Sequence, residues 1–252
     1  DVLYGHGGDD VLSGELGDNT LDGGQGNDTL KGNNGNDVLI GGDNNDRLIG
    51  GRGTDRLQGG SGADYLDAGL DDDTLQGGGG SDTLQGGAGN DLATYAGSFA
   101  SVTVSLIPGA FNSGGHAQGD VLNSIERIRG SKHADVLIGD VGNNRIRGEG
   151  GADTLTGGGG DTDYDVFIFV EDWADGTVIT DFNVIDDQIK YKGLDTNDVS
   201  FANHDSDGDG TNDGVTATLA GSGNVLLLQG VDYDVLMDNE QVGGDGTGIF
   251  II

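Results

Sequence analysis

Cysteine is absent, and proline occurs once, at Pro108. No disulfide can staple this chain, so an extracellular life requires another kind of crosslink. Basic residues are scarce. Only 11 Lys and Arg stand against 44 Asp and Glu, a formal charge of −33 over 252 residues. So negative a surface repels nucleic-acid phosphates and anionic lipid headgroups, which excludes both as partners. No apolar run approaches the ~20 residues of a membrane-spanning helix, so no membrane insertion is expected. Hydrophobic residues make up 33% of the chain and aromatics 6%. Such a chain cannot collapse on apolar burial alone. A secretory leader is also missing: the sequence opens DVLYGHGG, already inside a repeat, and reads as a piece cut from a longer protein.

Signatures of catalysis are missing as well. None of His6, His116, His133 and His204 sits in H-E-x-x-H, no G-x-S-x-G elbow occurs, and no G-x-G-x-x-G opens a helix. Trp173, Tyr65, Tyr95 and Tyr164 offer material for a sugar platform, but packing is the plainer role. The expectation is a chain without an active site.

Glycine, by contrast, is abundant, with 53 residues. From Tyr4 to Ala93 the chain divides into ten tandem nonapeptides, among them DGGQGNDTL, KGNNGNDVL and QGGSGADYL. Dropping the first residue of each leaves G-G-x-G-x-D-x-U-x, with U a large apolar residue; positions are numbered one to nine from the first Gly. Position eight is Leu at Leu12, Leu21, Leu30, Leu39, Leu48, Leu57, Leu66, Leu75 and Leu84. That spacing is too sparse for an amphipathic helix. Glycines at positions one, two and four break helices and permit positive φ. Each unit should therefore be a tight turn followed by a very short strand. Two units make one coil of a flattened solenoid, with Leu12 stacked over Leu30 over Leu48 and Leu21 over Leu39 over Leu57. Asn44 and Asp71 replace Gly at position four, and both residue types tolerate left-handed backbone.

Position six then forms two rows. Asp10, Asp28, Asp46, Asp64 and Asp82 run along one edge, and Asn19, Asp37, Asp55, Asp73 and Asp91 along the other. Stacked turns lie about 5 Å apart. Like charges in a row at that spacing repel, and a cation between them resolves the conflict. Calcium takes 6–8 oxygen ligands in flexible geometry, whereas magnesium demands a strict octahedron. Asn19 costs its site a charge, so sites at the start of the run should be weakest.

The nonapeptide resembles the repeats-in-toxin (RTX) family of hemolysin-type calcium-binding repeats. The resemblance implies an all-β fold, a calcium-bound parallel β-roll. It also implies a ligand scheme. One turn gives the carbonyls of positions two and four plus its Asp, and the turn one coil later gives the carbonyls of positions one and three plus its own Asp. Here that implies Gly24, Gly26 and Asp28 with Gly41, Asp43 and Asp46, and likewise Gly60, Gly62 and Asp64 with Gly77, Gly79 and Asp82. On the opposite edge it implies Asn33, Gly35 and Asp37 with Gly50, Arg52 and Asp55. Residues 1–93 form the first roll on this reading.

After Ala93 the phase breaks. Residues 94–129 carry SVTVSL, a half-buried strand pattern, then GDVLNSIERIRGS, which resembles a linker between RTX blocks and is expected to cap the first roll. Residues 130–164 resume the phase as a second, shorter roll, with Asp135, Asn144 and Asp153 in the rows. Its last unit carries extra residues, and Thr162, Asp163 and Asp165 remain alternative ligands. Residues 165–252 hold β-branched runs such as DVFIF, GTVITDF and NVLLLQG, read as a C-terminal β-sandwich-like cap. Within the cap, Asp205, Asp207, Asp209 and Asp213 match most of a calcium loop, although Thr216 stands where the closing Glu belongs. The tail Gly248–Ile252 resembles the uncleaved export signal of type I-secreted RTX proteins, and is equally a last core strand. The resemblance therefore implies a calcium-loaded module of a larger protein, secreted by a Gram-negative type I apparatus. An extracellular module that adheres to polysaccharide or a cell surface is the alternative.

Overall fold

The computed structural model describes residues 1–159, 163–170, 176–183, 186–192, 199–204, 214–219, 225–229 and 231. The chain divides into two compact units, Asp1–Arg129 and Gly130–Ile252.

The first unit is wound from short parallel strands. In chain order these are β1 (Val2–Gly7), β2 (Val11–Ser13), β3 (Thr20–Gln25), β4 (Thr29–Asn34), β5 (Val38–Asp43), β6 (Arg47–Arg52) and β7 (Arg56–Ser61). They continue as β8 (Tyr65–Leu70), β9 (Thr74–Gly79), β10 (Thr83–Ala88), β11 (Leu92–Thr94), β12 (Thr103–Ser105), β13 (Val121–Asn123) and β14 (Arg127–Arg129). Odd strands β1 to β11 pair in order and end on β14, while even strands β2 to β10 pair in order and end on β13. Each coil therefore has two sides, joined at two glycine-rich edges.

Leucine at position eight builds the core. Leu12 pairs with Leu30 and Leu30 with Leu48, while Leu21 pairs with Leu39 and Leu39 with Leu57. From Leu21 to Leu84 every one of these leucines is fully buried. Burying one such side chain contributes about 1.5–3 kcal/mol, and no single coil buries enough to stand alone. Full strands are longer than the expected T-L or V-L pairs: Thr20–Gln25 runs from position seven through position three of the next unit. Alternation then points position eight and the following position one inward together, as in the burial of Leu21 and Gly23.

Residues 94–129 join this unit. Strand β13 lies on β10 in repeat register, Thr83 against Val121, and β14 lies on β11, Leu92 against Arg127. Tyr95, Val102, Val104, Leu106, Ala117 and Ile125 are buried.

The second unit contains β15 (Val136–Ile138), β16 (Arg145–Arg147), β17 (Thr154–Thr156), β18 (Val166–Val170), β19 (Thr177–Ile179), β20 (Gln188–Lys192), β21 (Val199–His204), β22 (Gly214–Leu219) and β23 (Val225–Gln229). Leu137, Leu155 and Ile179 stack on one side, and Ile146, Phe167 and Ile189 on the other. Winding thus continues past Asp165, with Phe167, Ile179 and Ile189 in the leucine place. Strand β22 pairs antiparallel with both β21 and β23, whereas β23 pairs parallel with β19.

Candidate metal centre

The position-six side chains are buried at the turn edges, and each has two separate tasks. Oδ1 accepts the main-chain N–H of the residue one coil earlier. Asp10 donates to Asp28 at 2.7 Å, Asp28 to Asp46 at 2.8 Å, Asp46 to Asp64 at 2.8 Å and Asp64 to Asp82 at 2.9 Å. Along the other edge Asn19 donates to Asp37, Asp37 to Asp55 and Asp55 to Asp73, at 2.7–2.8 Å, and Asp73 to Asp91 at 2.9 Å. Oδ2 has no such partner. Among the described residues the Oδ2 atoms of Asp10, Asp28, Asp37, Asp46, Asp55, Asp64, Asp73, Asp82 and Asp91 are buried and unpaired. Nine orphaned carboxylate oxygens in two regular rows demand a ligand, because a buried charge without a partner is costly.

Position one explains where that ligand fits. A Cβ on Gly5 would stand 2.6 Å from Asp10 Oδ2 and 2.6 Å from the Gly23 carbonyl oxygen. At Gly32 the added atom would lie 2.8 Å from the Gly50 carbonyl oxygen and against Asp37 Oδ2. The missing side chain therefore leaves a cradle between the carboxylate of one coil and the carbonyl of the next. Position-two and position-four carbonyls point into the same gap from the earlier coil: Gly24 O faces Gly42, and Asn44 O faces Gly62. Position-three carbonyls point back from the later coil, where Gly26 N–H donates to Asp43 at 3.3 Å, Gly35 to Arg52 at 2.9 Å and Gly62 to Gly79 at 2.8 Å. At Gly23 the Asp28 Oδ2 meets the Gly41 carbonyl oxygen, at Gly32 the Asp37 Oδ2 meets the Gly50 carbonyl oxygen, and at Gly59 the Asp64 Oδ2 meets the Gly77 carbonyl oxygen. All donors are hard oxygens, the set that suits calcium. No group of three acidic or histidine side chains meets among the described residues, since each gap draws mostly on main-chain oxygen.

Burial leaves an electrostatic mark. It pushes the carboxyls of Asp46, Asp73 and Asp82 from the ordinary 3.8 up to about 7, and those of Asp55, Asp64 and Asp91 to about 6. The donated N–H works against that rise, and neighbouring carboxylates, such as Asp64 beside Asp46, add to it.

Asn19 and Asn144 lie in the rows but present a different atom. Asn19 Nδ2 donates to the Gly17 carbonyl at 2.5 Å and to Asp37 Oδ1 at 3.0 Å. Asn144 Nδ2 donates to the Gly142 carbonyl at 2.5 Å. An N–H donor stands where the other cradles hold an oxygen.

In the second unit Asp135 N–H donates to Asp153 at 2.9 Å, and Asp153 N–H to Thr177 Oγ1 at 3.2 Å. Ser131 supports Asp135, its N–H at 2.6 Å and its Oγ at 2.8 Å. Of the three alternatives in the last repeat, Asp165 occupies position six, accepting Asn144 N–H at 2.8 Å. Thr162 lies outside the described residues, as do Asp205, Asp207, Asp209, Asp213 and the tail Gly248–Ile252.

Sequence spacing alone misses four members of the rows. Asp120 accepts from Asp82 at 2.9 Å, Glu126 Oε2 from Asp91 at 2.8 Å, and Asp187 from Asp165 at 3.0 Å, while Thr177 takes the place after Asp153. An outer ladder at position five also escapes a consensus that writes x there. Asn27 N–H donates to Asp9 at 2.7 Å, Asn36 to Asp18 at 2.8 Å and Thr54 to Asn36 at 2.8 Å. Enrichment of Asp and Asn at that position was its only trace.

Fold and cradles together define a parallel β-roll whose turns are built to hold divalent cations. Four segments, residues 1–21, 22–57, 58–93 and 129–163, match the RTX calcium-binding nonapeptide repeat. These segments span just over half the chain, which therefore belongs to the RTX calcium-binding repeat family. No curated protein matches it.

Proposed function

We propose that each gap bordered by an orphaned aspartate oxygen takes one calcium ion, and that filling these gaps drives the chain to fold. Calcium supplies positive charge and oxygen coordination. The chain's own residues supply a spaced set of carbonyls, two carboxylates per gap and a glycine that leaves room. Asn19 is left out as a ligand, because its amide nitrogen faces the cradle, while Asn144 keeps a buried, unpaired Oδ1. Asp37 and Asp165 keep those edges in register.

On this reading the chain is a calcium-responsive module of a secreted protein. In a calcium-poor cytosol its charge of −33 keeps it extended. Outside the cell calcium neutralises the rows, and binding energy becomes folding energy. Such a chain threads a type I exporter unfolded and resists return once wound. It acts as a secretion and stabilising module rather than as a catalyst. The observation that carries the reading is the pair of unpaired Oδ2 rows.

Calcium titration of the chelated chain, followed by far-ultraviolet circular dichroism, tests it. The expected result is a cooperative gain of β signal. A β-roll spectrum that is complete in chelator and unmoved by millimolar calcium would overturn it. Export is tested separately, by fusing residues 130–252 to a reporter in a strain with a type I exporter, where secretion is expected and retention contradicts the export role.

A further inference from the structure

Asp120 lies between the matched repeat segments, and comes 38 residues after Asp82 where the repeats space the row by 18. Even so, it stands in the row. Strand β13 begins one residue later and pairs with β10 in repeat register, Val121 against Thr83. Asp82 N–H donates to Asp120 Oδ1 at 2.9 Å, the same bond that Asp64 N–H makes to Asp82 Oδ1. Asp82 is 1% exposed, and its Oδ2 has no partner. A Cβ on Gly77 would collide with that oxygen, as at the other cradles. The Gln118 carbonyl is drawn alongside, accepting Ser81 Oγ at 3.0 Å. The turn that carries Asp82 is thus covered on its far side by the 94–129 segment.

On its outer side Asp120 differs from the row aspartates of residues 1–93. There, Oδ2 of each is buried without a partner. Asp120 is 2% exposed, but its Oδ2 accepts the Tyr95 hydroxyl at 3.0 Å, and Tyr95 is itself buried. A hydroxyl hydrogen stands where the next cation would be needed. Asn112 holds the same loop from outside, donating Nδ2 to the Asp120 carbonyl at 3.1 Å and accepting Ser105 N–H on Oδ1 at 2.7 Å.

We infer that Asp82 and Asp120 share a calcium site that clamps the 94–129 segment onto the last coil, with Tyr95 closing the row behind it. This rests on the calcium reading above. It adds that one ion binds repeat and insert jointly, so that the insert is seated by calcium and not by apolar burial alone. Asn is compatible with the fold at this position. Asn19 stands in the row and donates its N–H to Asp37 at 2.8 Å, as the aspartates do to theirs.

Native mass spectrometry of the full calcium-loaded chain, with hydrogen exchange over residues 118–123, tests the inference. Asp82→Asn puts an amide nitrogen where Asp82 Oδ2 borders this gap, as Asn19 does in its own, and should carry one calcium fewer than the unaltered chain and lose calcium-dependent protection of that segment. Equal calcium counts and equal protection would overturn it. Tyr95→Phe leaves both carboxylates in place. It should keep the count while removing the share of terbium emission excited through the adjacent phenol; emission equal to that of the unaltered chain also counts against the site. If the unaltered chain binds no calcium at all, the broader calcium reading fails first, and the three results are distinct.

Discussion

The N–H of Asp28 donates to Oδ1 of Asp46, 18 residues later and 2.8 Å away, while Oδ2 of Asp46 is buried without a partner. One carboxylate thus locks coil to coil with one oxygen and offers the other to a ligand. Structural and binding roles fall on the same side chain, which makes the row sensitive to substitutions that separate them.

Asp46→Asn separates the two. The amide oxygen keeps the Asp28 bond, and the amide nitrogen replaces the offered oxygen, as Asn19 already does. Groups that only hydrogen-bond to a metal's ligands already carry about 10–100-fold in affinity, so loss of a direct ligand should weaken this site by at least about tenfold. Calcium isotherms of the variant should show one weakened site and an otherwise intact roll. An unchanged isotherm would show that Asp46 is no ligand.

Room in the cradle is tested at position one. A Cβ at Gly41 would stand 2.6 Å from the Gly59 carbonyl oxygen and closer still to Asp46 Oδ2. Gly41→Ala should therefore raise the calcium midpoint for folding. Ala68 already places a buried methyl at the equivalent point in the eighth unit. Ala68→Gly should lower the midpoint, and opposite signs for the two variants are the expected outcome of equilibrium titration.

Backbone demand is tested at position four. Asn44 holds φ 77 and Asp71 φ 78, in the left-handed region where most side chains are strained. Asn44→Ala should cost about 1–2 kcal/mol, and Asn44→Gly should not. Thermal unfolding at saturating calcium measures both; equal losses would mean that the turn does not depend on left-handed backbone.

Acid should act on calcium affinity and on the cation-free fold in opposite directions. Burial raises Asp46, Asp73 and Asp82 from the ordinary 3.8 to about 7. The folded carboxyls then hold protons that the unfolded ones release. Without a cation the fold gains stability as pH falls from about 7 toward 4 and is least stable above about 7. Calcium must displace those protons, so its affinity should fall between about pH 8 and about pH 6, with protons released on binding. Titrations at the two pH values with an indicator dye check this, and a pH-independent affinity would contradict it.

Much of the roll could be read directly because its physics repeats. Leu21, Leu39 and Leu57 at fixed spacing announce the core, and glycines at positions two and four announce positive φ. The calcium rows came from charge alone. The members that escaped lie where the period changes. Asp120 and Glu126 stand 38 and 35 residues after their row neighbours, Asp187 stands 22 after Asp165, and Thr177 stands 24 after Asp153. Loop length varies there while strand register does not, and register is invisible to a fixed-period search. The orientation of the Asn19 amide was equally out of reach, since the sequence places the residue in the row but not its nitrogen. Position one read as turn flexibility, yet at Gly23 its role is space, since its neighbour Gly24 carries the positive φ of 102°.

The most direct measurement is a crystal structure grown in calcium, with anomalous difference density recorded at long wavelength. Peaks are predicted about 2.3–2.6 Å from Oδ2 of Asp10, Asp28, Asp37, Asp46, Asp55, Asp64, Asp73, Asp82 and Asp91, and none beside Asn19. Rows of aspartates in the same coil with no peak at their Oδ2 atoms would contradict the account.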